Sequence, residues 1–297
     1  MLRPRLRIPR ATSRLWRPAI SSRAIHMVPV TKFKPEEGVP GLLTPGGFDF
    51  AWTQYMQLIL ENLNNLVAGS DFENEDTLSI IKSTAREPSM AAIFNFASMA
   101  HNNHIFFKGL VNTNAAQQAG EPVGEERIPP RLKTELARQF SSIETLRREF
   151  LATAMGMFGP GFVWLVKNAA SSELRILTTY LAGTPYTAGH WRRQGVDMNT
   201  QGLSSPDTVR AFLERKQTGA GADIGSSFMP TNRTAPGGTD VNVLLCLNTW
   251  EHVWLRDYGI GAGNVGGKRQ FVKDWWEVID WNEVEAAASL MRLAPKT

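Results

Sequence analysis

Apolar positions recur at helical spacing in two segments near the start of the chain. The first is FDFAWTQYMQLILENLNNLVAG, in which apolar side chains fall three or four residues apart until Gly69 ends the pattern. The second, PSMAAIFNFASMAHNNHIFFKGL, follows about twenty residues later. Two such helices bury their apolar faces most simply against each other. We therefore predict an antiparallel α-helical hairpin.

The pattern changes further along the chain. NTNAAQQAGEPVGEERIPP is polar and rich in Gly and Pro, which predicts a boundary between domains. Two helices are predicted in PRLKTELARQFSSIETLRREFLATAMGMFG, where Ser141 or Ser142 caps the second. Shorter apolar runs then predict three strands, in GFVWLVKN, ELRILTTYL and DVNVLLCLNT. KRQFVKDWWEVI and NEVEAAASLMRL return to helical spacing.

A long polar segment, from about residue 187 to about residue 239, separates the second and third predicted strands. Loops of this length without secondary structure are uncommon inside compact domains and are usually functional or disordered. SPDTVRAFLERKQ predicts one short helix within it, with Ser205 or Asp207 as the cap. We expect the segment to be an insertion in the C-terminal domain.

The N-terminus differs in charge from the rest of the chain. Seven Arg and two Lys, but no acid, precede Glu36, so the remainder holds 23 basic and 28 acidic residues. An Arg-rich, Ser-bearing and acid-free start is typical of a mitochondrial presequence, and a basic arm that binds nucleic acid is the alternative. We predict a presequence over residues 1–30, cleavage between Arg23 and Lys34, and a location in the mitochondrial matrix.

Composition excludes several classes of function. No apolar run approaches the ~20 residues that a membrane-spanning helix needs. The single Cys246 excludes an internal disulfide framework and a multi-cysteine metal site, and its apolar surroundings predict a buried thiol. GAGNVGG lacks the strand-to-helix context of a phosphate-binding loop, so we expect no nucleotide site there.

Four segments, in order, resemble segments of the iron and manganese superoxide dismutases. ILENLNNLVAG is similar to Y-V-N-N-L-N of that family, and HNNHIFF resembles H-x-N-H-x-x-F-W. QFSSIETLRREFLATAMGMFGPGFVWLV resembles F-G-S-x-x-x-F-K-x-x-F and the G-S-G-W-x-W-L-V strand that follows it. NTWEHVWLRDYG and FVKDWWEVIDWNEVEA resemble D-x-W-E-H-A-Y-Y-L-x-Y and V-x-N-W-x-x-V.

The resemblance covers about Phe48 to Ala294 and implies an α+β fold. An N-terminal long α-hairpin would occupy residues 31–116. A C-terminal α/β domain with a three-stranded antiparallel sheet would occupy residues 117–297, including the insertion.

The resemblance also implies the positions of the metal ligands in that family, which are three histidines and one aspartate. His104 and His252 match two of the histidines, whereas Ala51 occupies the first histidine position and Asn248 the aspartate position. Alanine has no donor atom, and a neutral amide lacks the charge that helps to hold a redox metal. We therefore expect no metal, no other cofactor and no catalysis at these vestigial ligand positions.

Other candidate donors do not restore the set. His101 and Asp257 do not match ligand positions, and His26 is expected to leave with the presequence; His190 and Asp49 also remain.

The resemblance also implies a role for Glu251. In the family, this glutamate reaches across a twofold interface to the metal-binding histidine of the partner subunit. Glu251 and His252 therefore predict a dimer interface. A salt bridge within one chain is the alternative.

A presequence, a dismutase-like body and an altered metal site together resemble the dismutase-like proteins of the mitochondrial small ribosomal subunit, which occur in fungi as a pair. The resemblance implies a structural role in mitochondrial translation, without catalysis. Expected partners are small-subunit ribosomal proteins and either a dismutase-like paralogue or a second copy. Contact with ribosomal RNA is expected to be limited, because the body is mildly acidic, and no membrane is expected. The alternatives are a dismutase with altered ligands and a mitochondrial assembly factor.

Overall fold

Helices precede and follow a three-stranded sheet in this chain. A computed structural model describes residues 26–85, 87–190 and 240–289. The sheet is antiparallel throughout, and helices come both before and after its strands in the sequence. The predicted α+β class with a three-stranded antiparallel sheet is confirmed.

The first long helix is continuous through three parts. α1 covers Pro45–Phe48, a π-helical segment covers Asp49–Gln54, and α2 covers Tyr55–Val67. The apolar face of α2 is buried, as its spacing predicts. Gly69 follows with a φ of +71°, a conformation that glycine adopts without strain just after a helix.

The second long helix, α4 (Ala91–Lys108), packs along α2 and completes the predicted pair. Between them lies α3 (Thr77–Thr84), which the sequence did not predict and which also packs on α4. The side chain of Asp76 caps α3 by accepting hydrogen bonds from two backbone N–H groups. An eight-residue helix makes little more than two turns, so its apolar spacing is too short to stand out in the sequence.

A polar connection and two further helices lead to the sheet. The predicted domain boundary contains α5 (Thr113–Gln118) and a 3₁₀ turn. α6 (Pro130–Phe140) and α7 (Ile143–Gly156) follow as predicted. Ser142 caps α7 by accepting a hydrogen bond from the backbone of Thr145 at 3.0 Å, which decides between the two predicted caps.

The sheet has the order β2-β1-β3. β1 (Gly161–Asn168) lies at the centre, β2 (Leu174–Tyr180) pairs with one edge, and β3 (Val241–Asn248) pairs with the other. β1 is buried over almost its whole length, which explains why it reads as a continuous apolar run. All three strands agree with the predicted strands to within one residue at each end.

Four short helices complete the described chain. They are α8 (Thr187–His190), α9 (Glu251–Tyr258), α10 (Gly267–Glu277) and α11 (Trp281–Ser289). The predicted helix in SPDTVRAFLERKQ, with its caps Ser205 and Asp207, lies outside the described residues.

Four tryptophans, Trp164, Trp275, Trp276 and Trp281, are fully buried in the core that joins the sheet to the C-terminal helices. Cys246 is also buried, as predicted, and desolvation raises the pKa of its thiol well above the ordinary value. Among the described residues, no helix is both long enough and apolar enough to cross a membrane.

Candidate functional site

The π-helical segment Asp49–Gln54 contributes one wall of the candidate site. Ala51 and Trp52 are buried there, and Tyr55 follows at the first position of α2. A π-helical turn holds an extra residue, which changes the direction of the side chains that follow it, and such turns occur often at functional sites. This segment therefore sets which side chains face α4 and β3.

Three buried residues form a chain of hydrogen bonds across the site. The backbone N–H of Trp250 donates to Oδ1 of Asn248 at 2.9 Å. Nδ2 of Asn248 donates to Oδ1 of Asn103 at 3.0 Å, and Nδ2 of Asn103 donates to the carbonyl of Ala51 at 3.2 Å. Ala51, Asn103 and Asn248 each have a relative exposure of 0%. We call this set the amide relay.

The two ends of the amide relay fix the orientation of both side-chain amides. A backbone N–H can only donate, so Oδ1 of Asn248 must face Trp250; a backbone carbonyl can only accept, so Nδ2 of Asn103 must face Ala51. The middle bond then needs a donor on residue 248. An ionised aspartate has no donor, so it would leave Oδ1 of Asn103 facing a carboxylate. The relay fits asparagine and does not fit aspartate.

The two histidines at the candidate site pack against aromatic rings one turn apart. The ring of His252 stacks on Tyr55 with centroids 3.8 Å apart, and the ring of His104 lies 6.2 Å from that of Trp52. Burial lowers the pKa of His252 to about 4, and burial followed by Lys108 lowers the pKa of His104. Both imidazoles are therefore neutral near pH 7.

The residues present do not fit an iron or manganese ion. Ala51 has no donor atom, and both amide atoms of Asn248 are engaged in the relay. Nε2 of His252 is buried and has no hydrogen-bond partner among the described residues, so one imidazole nitrogen is free. The described residues contain no group of three or more His, Cys, Asp or Glu that could hold a metal ion. A redox centre of this family needs more donors than these.

The other candidate donors have contacts of their own. His101 lies 3.2 Å from Thr77 and 3.0 Å from the Tyr186 hydroxyl through its two ring nitrogens. The remaining contacts are with neighbouring backbone or polar groups: Asp49 with Gln54, Asp257 with Thr44, and His26 with Asn64 and Glu75. The side chain of His190 is outside the described part of the chain.

Glu251 begins α9 and is only partly buried. It makes no hydrogen bond or ion pair with the described residues, so the intrachain salt bridge considered above is not formed there. Its charge raises the pKa of Lys268, although burial has the larger effect and lowers that pKa overall. Within the described part of the chain, the Glu251 carboxylate therefore has no hydrogen-bond or ion-pair partner.

Exposed apolar side chains adjoin Glu251. Phe158 is 99% exposed and Leu181 is 59% exposed. The backbone N–H of Leu181 bonds to Pro160, and its carbonyl accepts from the indole of Trp250, so these residues are neighbours. We call the surface formed by Phe158, Leu181, Trp250 and Leu255, next to Glu251, the apolar face. Exposed apolar side chains that lie near one another are typical of a protein interface.

A groove of about 760 Å³ lies elsewhere, between β2 and the connection that leads into α4. Its walls include Phe94, Leu177 and Tyr180, and among the described lining residues Glu87 is the one acidic side chain. It does not include the amide relay or either histidine, so it adds no chemistry to the candidate site.

Asn103 is the residue that sequence reasoning missed. It lies inside the HNNHIFF segment, beside His104. A search for metal-binding side chains does not select it, because its amide is neutral. The signal was present, because the H-x-N-H pattern carries an asparagine at that position. Only the structure shows that Asn103 connects Ala51 to Asn248.

Comparison with known proteins places this fold among relatives of two kinds. Residues 129–197 and 224–287 match the family model described as iron/manganese superoxide dismutases, C-terminal domain. The chain is 28% identical to small ribosomal subunit protein mS43 of Schizosaccharomyces pombe, over 82% of this chain and 78% of that protein. It is 24% identical to small ribosomal subunit protein mS42 of the same organism, over 68% of each. It is 25% identical to the iron superoxide dismutase of Salmonella typhimurium, over 80% of this chain and 84% of the enzyme.

Proposed function

We propose that this chain, which is similar to the C-terminal domain of the iron/manganese superoxide dismutases, is a non-catalytic, structural component of the mitochondrial small ribosomal subunit. Similarity alone does not separate this role from dismutase activity, because ribosomal proteins and an enzyme match a similar share of the chain. The chemistry of the candidate site has to separate them.

The observation that carries the proposal is the amide relay. Both amide atoms of Asn248 are hydrogen-bonded, one to Trp250 and the other to Asn103. The family resemblance places a metal-binding carboxylate at this position. A buried neutral amide with both partners satisfied avoids the desolvation cost that an unpaired carboxylate would bring. The side chains at the site therefore serve as part of the packed interior, and the two neutral histidines belong to it.

Location in the mitochondrion follows from two independent supports. The acid-free, Arg-rich N-terminus has the composition of a presequence, and mS43 and mS42 are similar over most of this chain. A component of the mitochondrial ribosome works in the matrix, which is the compartment we propose. The predicted division into residues 31–116 and 117–297 remains part of the same proposal.

The proposed partners are small-subunit ribosomal proteins and one dimer partner. The apolar face, with Glu251 and His252 beside it, is the surface we assign to the dimer, whether the partner is a second copy or a dismutase-like paralogue. Contacts with ribosomal RNA are proposed to be few, because the body carries more acidic than basic residues.

Metal analysis together with a dismutation assay tests the non-catalytic half of the proposal. The protein purified from mitochondria is compared with a catalytic iron or manganese dismutase prepared in the same way. We expect far less than one iron or manganese per chain and no dismutation above the uncatalysed rate. Full metal occupancy with measurable dismutation would instead establish the alternative, a dismutase with altered ligands.

A tagged chain recovered from mitochondria tests the ribosomal half. We expect small-subunit ribosomal RNA and proteins to copurify in amounts comparable to the chain itself. Recovery of the chain without them would favour the assembly-factor alternative.

A further inference from the structure

His26 contacts the folded body through four atoms. Its backbone N–H donates to Oδ1 of Asn64 at 3.1 Å, and its backbone carbonyl accepts from Nδ2 of Asn64 at 2.9 Å. Its ring nitrogens lie 2.9 Å from Oδ1 of Asn64 and 2.9 Å from the carbonyl of Glu75. These partners are 38 and 49 positions away in sequence. We call this set of contacts the His26 anchor.

The His26 anchor is specific to one backbone position. The amide of Asn64 meets both the N–H and the carbonyl of a single residue, so its oxygen and nitrogen have only one suitable orientation. The ring contact with Glu75 joins the end of α2 to the start of α3. Neither Ile25 nor Met27 has an imidazole ring, so neither neighbour could replace His26 in its contact with Glu75.

Residues 27–31 make few contacts with the rest of the folded protein. The side chains of Met27 and Val30 are 75% and 98% exposed. The next firm attachments are the ion pair between Lys32 and Asp280 at 2.7 Å and the buried ring of Phe33. Without His26, the chain before Lys32 would be an exposed and untethered end, which is where proteolysis concentrates.

We propose that presequence removal stops before His26, so that the mature protein keeps His26 and every residue after it. This inference rests on the proposed import into mitochondria. It shortens the predicted presequence of residues 1–30, retains His26, which the sequence analysis expects to be removed, and restricts cleavage to the early part of the predicted Arg23 to Lys34 window. Processing is hydrolysis of one peptide bond, in which water supplies the hydroxyl of the released carboxyl group and a proton to the new amino group. The new amino group then belongs to His26 or to a residue before it.

Cleavage after His26 would leave the body with unpaired groups. The amide of Asn64 would lose the N–H and the carbonyl that it binds, and the carbonyl of Glu75 would lose its partner. Such losses weaken the local structure even where water replaces part of the bonding. The anchor therefore gives a physical reason for the mature chain to begin no later than His26.

N-terminal mass spectrometry of the endogenous protein from mitochondria tests the inference. We expect an N-terminus that lies after Met1 and no later than His26. An N-terminus at Met27 or beyond would overturn the inference, but it would still support the prediction that the chain carries a presequence. A mitochondrial protein that still begins with Met1 would overturn both the presequence and the inference, while its association with ribosomes could still be measured separately.

Limited proteolysis of the full-length chain tests the anchor itself. Asn64→Ala removes the amide, whereas Asn65→Ala, on an exposed neighbouring position of α2, serves as the matched control. With a protease of broad specificity, we expect cleavage within residues 27–31 to be several-fold faster in Asn64→Ala than in the unmodified chain. The control should match the unmodified chain. Equal rates in all three proteins would show that the anchor does not hold the segment.

Discussion

At the scale of single residues, the identity of residue 248 decides what the candidate site can do. Asn248 donates to Asn103 and accepts from the backbone of Trp250; Asn248 and Asn103 are fully buried, and Trp250 is partly buried. The same position with a carboxylate would need a cation nearby to offset its charge. No His, Asp, Glu or Cys cluster in the described part of the chain could hold one.

We predict that Asn248→Asp destabilises the protein. The carboxylate would lose the donated bond to Asn103 and place a charge in a buried site, which costs about 3 kcal/mol of unfolding free energy at neutral pH. Urea unfolding measures the loss, and Asn65→Asp on the exposed side of α2 is the control, with an expected change of less than about 0.5 kcal/mol. A stable Asn248→Asp protein that acquires iron or manganese would contradict the account.

His101 makes stability depend on pH. Burial lowers its pKa to about 4, with a smaller lowering effect from His104 and Lys82 and an opposing effect from Asp76. An exposed histidine has a pKa of about 6.5, so between these values the unfolded chain binds a proton that the folded chain does not. Stability contributed by the neutral ring is therefore complete above about pH 6.5 and falls as the pH drops toward 4.

The expected loss from His101 between pH 7 and pH 5 is about 2 kcal/mol of unfolding free energy. His101→Gln cannot take up the proton, so its pH dependence should be smaller by that amount, whatever its stability at pH 7. Urea unfolding of both proteins at the two pH values measures the difference. Parallel pH profiles would contradict a buried neutral His101. His252 contributes in the same direction in both proteins.

The residue scale also shows the limit of sequence reasoning about the site. Ala51 and Asn248 were identified from a family pattern and lie at the two ends of one relay. The middle of the relay was not foreseen, because Asn103 becomes important only when α4 passes between the π-helical segment and β3. Hydrogen-bond direction between distant segments has no signature in local sequence.

At the scale of elements, the contact between α1 and α9 joins the beginning of the chain to its C-terminal part. The carboxylate of Asp257 in α9 accepts from the backbone N–H and the hydroxyl of Thr44, which caps α1, at 2.8 Å each. Gly47 of α1 lies directly against that carboxylate, with no room for a side chain. A methyl group there would displace the Asp257 carboxylate from Thr44, so close approach, rather than the backbone angle, favours glycine at this position.

We predict that Gly47→Ala destabilises the protein by about 1–3 kcal/mol, because the new methyl group would overlap the Asp257 carboxylate and displace it from its hydrogen bonds with Thr44. Gly156→Ala is the matched control: it closes α7, and a methyl group there would meet no atom within 4 Å. The control should be neutral or slightly stabilising. Thermal unfolding of the two variants distinguishes them, and equal midpoints would show that the helices are not in close contact.

Elements with long, strong patterns were predicted well, and elements without them were not. The three strands were located to within a residue because each is a compact apolar run with polar or Gly-containing ends. α3 was missed because it is short, and the π-helical turn because an extra residue within a helix leaves the apolar spacing almost unchanged. The short helices α5 and α8 lie in polar stretches that read as loop.

At the scale of the whole molecule, the apolar face is a surface that the described residues leave uncovered. Phe158 is almost entirely exposed although it is flanked by a buried methionine and a buried strand. When a partner covers a large exposed aromatic side chain, the burial stabilises the complex by roughly 25 cal/mol for each Å² removed from water. The account assigns that cover to a dimer partner.

We predict that Phe158→Glu weakens the dimer by at least about tenfold in dissociation constant, since a charge at the centre of an apolar contact must be desolvated. Leu66→Glu is the control, because Leu66 is also exposed but lies at the opposite end of α2 from Tyr55, which stacks on His252. Light scattering of the chain alone, and of the chain with a dismutase-like paralogue, gives the mass of each complex. A dimer that survives Phe158→Glu would place the interface elsewhere.

The central claim is that this dismutase-fold chain serves the mitochondrial small ribosomal subunit without catalysis, and sedimentation tests it most directly. A mitochondrial lysate is run through a sucrose gradient at high salt, and the chain is detected in each fraction beside small-subunit ribosomal RNA. The account predicts that the chain peaks with the small subunit and that salt does not release it. A peak at the size of a free dimer, away from the ribosomal RNA, would contradict the claim.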